Sequence, residues 1–300
     1  MALKERIKRW LPLIQILVSV LLVWIVFRQI PCRDVSLALQ RFGWAATFWV
    51  LVTSLLKLGL SYINWEIALR LNPGFHAPRR QIWHSFWAGQ PLSIALPGGP
   101  ASFGKAYLVD NTSKIATALS VLFEKFYQGW VTWVSAAIAA CVYFTRFPFG
   151  WRISAVVIIA LVPWIVPQIL RRSKLHREVR RNYLRLCPVV LVLQSVQFVI
   201  TVWQYWILLS QVNPVAFSDT LVAVPLILFS GVIPITIGGL GLREMFAENV
   251  LRNFGFAAGA AVSASLTVFF LNTALPALLG IYSIFAARRQ RTSGSSESSV

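Results

Sequence analysis

A lysine stands in the middle of an apolar run. Lys57 lies 13 residues from Trp44 on one side and 13 from Arg70 on the other. An ammonium group that deep in a bilayer costs about 2.5–3.5 kcal/mol even on the most lenient scale, so its position calls for a polar cavity or a partner. Ser54, Ser61 and Asn64 stand at −3, +4 and +7 from it and share its helix face. A later run carries Gln194, Gln197, Thr201 and Gln204 at similar helical spacing. Two helices with one polar stripe each fit two arrangements: direct interhelical hydrogen bonding, or joint lining of a site near the membrane midplane.

Two glycine-rich breaks are the second feature. In the first, Pro97, Gly98, Gly99 and Pro100 lead to Gly104 and Lys105; in the second, Pro234 leads through Gly238, Gly239 and Gly241 to Arg243. The spacing predicts helices starting near Ala106 and near Leu242. The N-terminus of a helix offers unpaired N–H donors and a positive dipole end, suited to phosphate or carboxylate. Lys105 and Arg243 add full charges there, and Arg grips phosphate bidentately. Carboxylates are few: Glu66, Glu124, Glu244 and Glu248 stand in or near apolar segments, where each needs a partner or a proton. Glu244 and Glu248 are i, i+4 neighbours. They could neutralise Arg243, carry protons or meet a cationic headgroup. The plainer alternative is that the breaks only terminate short helices and the carboxylates form structural ion pairs.

Enzyme signatures are missing. The sequence contains no GxxxxGK[ST], HExxH or GxSxG; Asp34, Asp110 and Asp219 form no DxD. Neither His76, His84 and His176 nor Cys32, Cys141 and Cys187 show metal-ligand spacing. The expectation is a protein that is not an enzyme, with no cofactor and no metal.

The elements that hold these residues follow from composition. Of 300 residues 57% are hydrophobic and 13% charged, with a mean hydropathy of +0.67. A soluble domain is about 45–50% apolar and about 25% charged, so a soluble enzyme, a nucleic-acid module and a disordered chain are excluded. Apolar runs predict full spans at about 11–27, 44–69, 126–144, 153–170, 187–209 and 256–286. Gln81–Leu96 and Phe217–Ile233 are short runs ending at Pro/Gly, the pattern of re-entrant hairpins. The fold class is therefore an all-α polytopic membrane protein of about six full spans plus two re-entrant helical hairpins.

The net charge of +18 concentrates in short segments between spans, the pattern that orients membrane helices and attracts anionic lipid rather than nucleic acid. Lys4–Arg9, the basic stretch from Arg171 to Arg185 and Arg288–Arg291 then fall on one side, with Arg28, Arg33 and Arg41 opposing. Both termini are expected in the cytoplasm, with the chain in the cytoplasmic (inner) membrane. The run at 11–27 reads as an uncleaved first helix. Residues 1–286 form one transmembrane domain, and 287–300 read as a disordered cytoplasmic tail.

Shifting the first half by 137 residues carries 11–27, 44–69, 81–97 and 126–144 onto 148–164, 181–206, 218–234 and 263–281. Each half (about 11–144 and 148–286) holds three spans and one hairpin. Three is odd, so the halves take opposite orientations, an inverted repeat.

At these motifs the sequence resembles the lysylphosphatidylglycerol synthase transmembrane (flippase-like domain) family. Pro234-Ile-Thr-Ile-Gly-Gly-Leu-Gly-Leu-Arg-Glu244 looks like its P-x-x-x-G-G-x-G-x-R-E signature, and Pro97-Gly98 with the later Gly104-Lys105 step looks like its first-half motif. Glu124-Lys125-Phe126-Tyr127-Gln128 resembles its E-R-x-x-D stretch but lacks the Arg and the Asp, and Gly104-Lys105-Ala106 lacks the usual acidic residue. The resemblance covers about 10–288. It implies a lipid-translocating or lipid-binding membrane domain; with Val300 closing the sequence before any aminoacyltransferase domain, a stand-alone member is expected.

The expected function is a flippase or transporter of a phospholipid or lipid-linked intermediate. Its substrate-binding residues would be Lys57, Gly98, Gly99, Gly104, Lys105, Glu124, Gly238, Gly239, Gly241, Arg243 and Glu244. The partners are membrane lipids through their headgroups. The alternative is a non-catalytic membrane partner of a glycosyltransferase or lipid-modifying enzyme.

Overall fold

A computed structural model describes residues 32–72, 74–95, 104–106, 108–109, 114–170, 177–232, 236 and 239–282. The first span at 11–27, Gly98, Gly99, Gly238 and the tail at 287–300 lie outside the described residues. Those described are mostly helical, with no strand among them. In chain order the helices are α1 (Cys32–Leu69), α2 (Arg79–Ala95), α3 (Lys114–Tyr143), α4 (Phe149–Leu170), α5 (Arg177–Leu209), α6 (Phe217–Phe229), α7 (Leu242–Arg252) and α8, which runs from Ala258 through a π turn at Phe270–Ala274 to Tyr282.

Four stretches among them are long and apolar enough to cross a membrane: Leu39–Leu69, Phe149–Val166, Glu178–Leu209 and Ala258–Tyr282. Helix α3 has 30 residues, about 45 Å at 1.5 Å per residue; Glu124, Lys125 and Gln128 interrupt its apolar pattern. Large apolar side chains point outward, with Trp44, Trp151 and Trp164 each at least 70% exposed. For a chain in lipid that is the expected outer surface, and Trp residues favour the interfaces.

Several sequence expectations are corrected. The residues between the first two predicted spans are helix where they are described, from Cys32 to Phe42, separated from the span by Gly43 at φ +68°. Only glycine takes that conformation cheaply. The first broken segment does not start a helix near Ala106; Gly104–Ala106 is one 3₁₀ turn, and α3 starts at Lys114. Part of the basic stretch before the fifth span is helical too, since Arg177, Arg180, Arg181 and Arg185 belong to α5.

Two apolar cores stand at opposite ends of the long helices. One joins Phe42, Ala46 and Val50 of α1, Val202–Leu209 of α5, and apolar faces of α6, α7 and α8. The other joins Trp65, Ala68 and Leu69 of α1, Val121–Tyr127 of α3, and Val179–Val190 of α5, with Ile82 and Phe86 of α2. Val50 and Trp65 are 15 residues apart, about 22 Å along a helix, and between them α1 turns its polar stripe inward.

Helix α1 packs on α5, α8, α3 and α2; α5 packs also on α3, α8 and α6; α3 packs on α6 and α4; and α2 touches the π turn of α8. Beyond the π turn α8 stays close to α2: a Cβ at Gly280 would lie 2.4 Å from the Trp87 carbonyl oxygen and 2.6 Å from Pro91 Cδ.

Candidate functional site

The polar stripes of α1 and α5 meet. Lys57 Nζ donates to Thr201 Oγ1 at 2.7 Å, and Ser61 Oγ donates to Gln197 Oε1 at 2.7 Å. Gln204 Nε2 reaches Val50 O, Thr53 Oγ1 and Ser54 Oγ, while its Oε1 accepts from Asn272 Nδ2 at 2.7 Å. At Gln204 every donor and acceptor is used, and this end of the seam is helix-to-helix adhesive.

Toward the other end the seam opens into a cavity of about 170 Å³ lined by Ser54, Lys57, Ser61 and Asn64 of α1 and Gln194 and Gln197 of α5. Gln90 of α2, Glu124, Lys125 and Gln128 of α3, and Asn272 and Thr273 of α8 complete the polar wall, with Leu58 and Phe86. Both arrangements open to the stripes therefore occur in one seam.

Charge is unevenly balanced there. Glu124 is ion-paired with Lys105, which is 5% exposed and lies 3.8 Å over the Trp65 ring. Trp65 is itself held by a 2.9 Å bond from Nε1 to Ser85 Oγ. Lys57 and Lys125 have no carboxylate partner among the described residues; they meet Thr201 Oγ1 at 2.7 Å and Gln128 Oε1 at 3.1 Å. Two polar atoms in the wall, Asn64 Oδ1 and Gln197 Nε2, are buried without a hydrogen-bond partner.

The second broken segment builds a separate assembly. Gly239 and Gly241 take φ +77° and +83°, the left-handed region that favours glycine, and Gly241 caps α7. Glu244 folds back so that its Oε2 accepts the Gly241 N–H at 2.6 Å, the return half of a capping box. Its Oε1 accepts from Arg243 Nη2 at 2.7 Å and from Ser265 Oγ at 3.1 Å; Arg243 Nε donates to the same Ser265 oxygen at 3.0 Å, and its guanidinium lies 4.4 Å over Phe269. Arg243 and Glu244 are 9% and 3% exposed. At the donor end of α7 that the sequence offered to a ligand, the Gly241 N–H is taken by the chain's own carboxylate. Glu248 pairs with Arg252, one turn on.

Residues 13–280 match the family model described as "Lysylphosphatidylglycerol synthase TM region". The chain belongs to the lysylphosphatidylglycerol synthase transmembrane family. Membership makes it a membrane protein related to lipid metabolism or transport. No curated protein matches the chain.

For this family member, the structure brings Lys57 and Glu124 to one cavity with Lys105 behind Glu124, while Gly239, Gly241, Arg243 and Glu244 lie outside its lining. Gly104 precedes Lys105 in the 3₁₀ turn. Gln90, Lys125, Gln128, Asn272 and Thr273 join the cavity without having been named as binding residues; the stretch Glu124–Gln128 resembling E-R-x-x-D and the Asn272-Thr273 pair in an apolar run were the available signals.

Proposed function

We propose that the protein moves a phospholipid or lipid-linked intermediate across the cytoplasmic membrane, taking the headgroup into the cavity between α1 and α5. One observation carries this reading: a polar cavity halfway along two long helices, between two apolar cores, lined by two lysines that meet no carboxylate among the described residues. Charged side chains inside a bilayer are retained where a polar pathway needs them. Lys57 and Lys125 would contact the headgroup phosphate, and the amides beside them would replace its water. Glu124, held by Lys105, would set the local charge. Gly104, with Gly98 and Gly99, would let the first hairpin turn. Gly238, Gly239 and Gly241 with Arg243 and Glu244 would lock the second hairpin rather than touch the lipid.

The two halves would be related as an inverted repeat with both termini cytoplasmic. In support, the helix pairs exchange under the swap α1 with α5, α2 with α6 and α3 with α8: α1–α3 answers α5–α8, α1–α8 answers α5–α3, α1–α2 answers α5–α6, and α3–α6 answers α8–α2. The pair α1–α5 maps onto itself, so the cavity would lie on the pseudo-twofold, where rocking one half against the other changes its access.

The test is translocation of labelled phospholipid in proteoliposomes holding the purified chain. Wild-type protein is expected to move lipid and Lys57→Gln to lose at least about tenfold in rate, the weight of one charge-assisted contact. Full activity in that variant, with its fold intact, sinks the cavity assignment. A folded wild-type chain that moves no lipid turns the reading toward a membrane partner of a lipid-modifying enzyme.

A further inference from the structure

Resting on the reading that rocking one half against the other changes access to the cavity, the register of the α1–α5 seam picks out the residues that hold its second position. The polar contacts of the two helices form a ladder: Ser54 with Gln204, Lys57 with Thr201, and Ser61 with Gln197. Steps of three and four residues up α1 are matched by steps of three and four down α5. That is the register of antiparallel helices whose facing stripes follow the helical period. One further step of three sets Asn64 opposite Gln194. No hydrogen bond joins this pair. Asn64 is 1% exposed with Oδ1 buried and unpartnered, Gln194 is 7% exposed, and both line the cavity. Three rungs of the ladder are made and the fourth is open.

The 137-residue shift between the halves reaches the same pair by a separate route. It carries Lys57 onto Gln194 and Asn64 onto Thr201, so the open rung is the repeat mate of the made Lys57–Thr201 rung. It also carries Leu60 onto Gln197 and Ser61 onto Phe198, which puts the Ser61–Gln197 rung at the centre of the exchange, where rocking moves the helices least. The mates of Ser54 and Gln204 are Leu191 and Ile67, both packed on the second apolar core. Turning α1 on α5 about Ser61 and Gln197 therefore brings Asn64 to Gln194 and closes that end on Ile67 and Leu191. The same turn draws Lys57 from Thr201 and frees the Gln204 end, where the amide now seals the seam at 0% exposure. Each arrangement makes one polar rung beside the pivot and one closing contact, which keeps the two close in free energy, as a two-position interface needs. A buried acceptor left unsatisfied calls for an explanation, and the exchange supplies one for Asn64.

We infer that Asn64 and Gln194 form the latch of a second arrangement of the protein, in which the seam closes at their end and opens at the Gln204 end, with Ser61 and Gln197 as the pivot.

The test uses the full-length chain in nanodiscs, both faces open to reagent, with Cys32, Cys141 and Cys187 changed to serine. Val50 is fully buried and its carbonyl meets Gln204. A lone Val50→Cys reads opening of that end through its rate of reaction with a membrane-impermeant maleimide, and Ala46→Cys in the same core is the second reporter. Gln204→Leu removes the made contact and is expected to raise that rate at least about threefold, the weight of one interhelical hydrogen bond in a membrane. Gln194→Leu, added to it, denies the second arrangement its latch from about 15 Å further along α5. It is expected to bring the rate back down by a similar factor. A rate that ignores Gln194→Leu overturns the inference, because simple loosening of the Gln204 end does not depend on a residue that far away. Separately, Asn64→Cys with Gln194→Cys is expected to form a disulfide at least about threefold faster when Gln204→Leu is present; an unchanged rate overturns the inference too. Translocation of labelled phospholipid is followed on the same reporter proteins. Coupled opening without lipid movement keeps the latch and refutes transport, while lipid movement with uncoupled ends keeps transport and refutes the latch.

Discussion

Removing Arg243 should unfold the protein more easily rather than silence it. The guanidinium is 9% exposed, and Glu244 beside it is 3% exposed. In Arg243→Ala the carboxylate keeps the Gly241 N–H and the Ser265 hydroxyl but loses its cation, leaving a buried, uncompensated charge. Breaking a buried pair from one side costs about 3–5 kcal/mol, and losing the stack on Phe269 adds about 0.5–2 kcal/mol. At about 2–4 °C per kcal/mol, the melting temperature in nanodiscs should fall by at least about 6 °C. Arg243→Lys keeps the charge but not the fork that serves Glu244 and Ser265 together, so about 1–2 kcal/mol is expected. The double variant Arg243→Met with Glu244→Gln removes both charges and leaves the side-chain carbonyl at 244 to cap Gly241. It should recover to within about 1–2 kcal/mol of wild type, giving a coupling of at least about 2 kcal/mol in the cycle. An Arg243→Ala protein that melts with the wild type, or a double variant no better than the single, refutes the argument that this pair holds the second broken segment together.

Glu124→Gln strands Lys105 between Trp65 and the cavity, so a loss of about 3–5 kcal/mol is expected by the same melting assay, with Glu124→Gln plus Lys105→Met recovering most of it. Gly241→Ala forces a Cβ into φ +83°, about 1–3 kcal/mol; an unchanged melt would show that the turn relaxes. Gly280→Leu drives a side chain into the Trp87 carbonyl and Pro91, both under 3.0 Å from a Cβ there, and should cost at least about 1–3 kcal/mol while moving α2 away from α8. Cysteine pairs placed on α2 and α8 read that movement as a loss of cross-linking.

The membrane character, most of the long helices and both breaks were legible in the sequence, because burial in lipid demands long apolar runs and Pro or Gly where the helix stops. So were the polar stripes, since 3.6-residue periodicity puts Ser54, Lys57, Ser61 and Asn64 on one face whatever that face meets. Local pattern could not reveal that Arg177–Arg185 continues a helix or that Cys32–Phe42 precedes the span as one: basic residues and a single Gly43 read the same in loops and in helix ends.

Partnership was decided by tertiary structure. Lys105 and Arg243 read alike in sequence, each a cation after a glycine turn, and both proved to be neutralised by a carboxylate and stacked on an aromatic ring. Glu124 lies 19 residues from Lys105, and Ser265 lies 22 from Arg243; separations of that kind carry no signal in spacing. Lys57 and Lys125 became the cavity's cations without a carboxylate partner among the described residues only because α1, α3 and α5 pack as they do. The sequence settles how much charge is placed in the membrane, through the cost of burying it. Which charges are paired and which are left facing a cavity depends on distances of a few ångströms between helices, and those exist only in the folded chain.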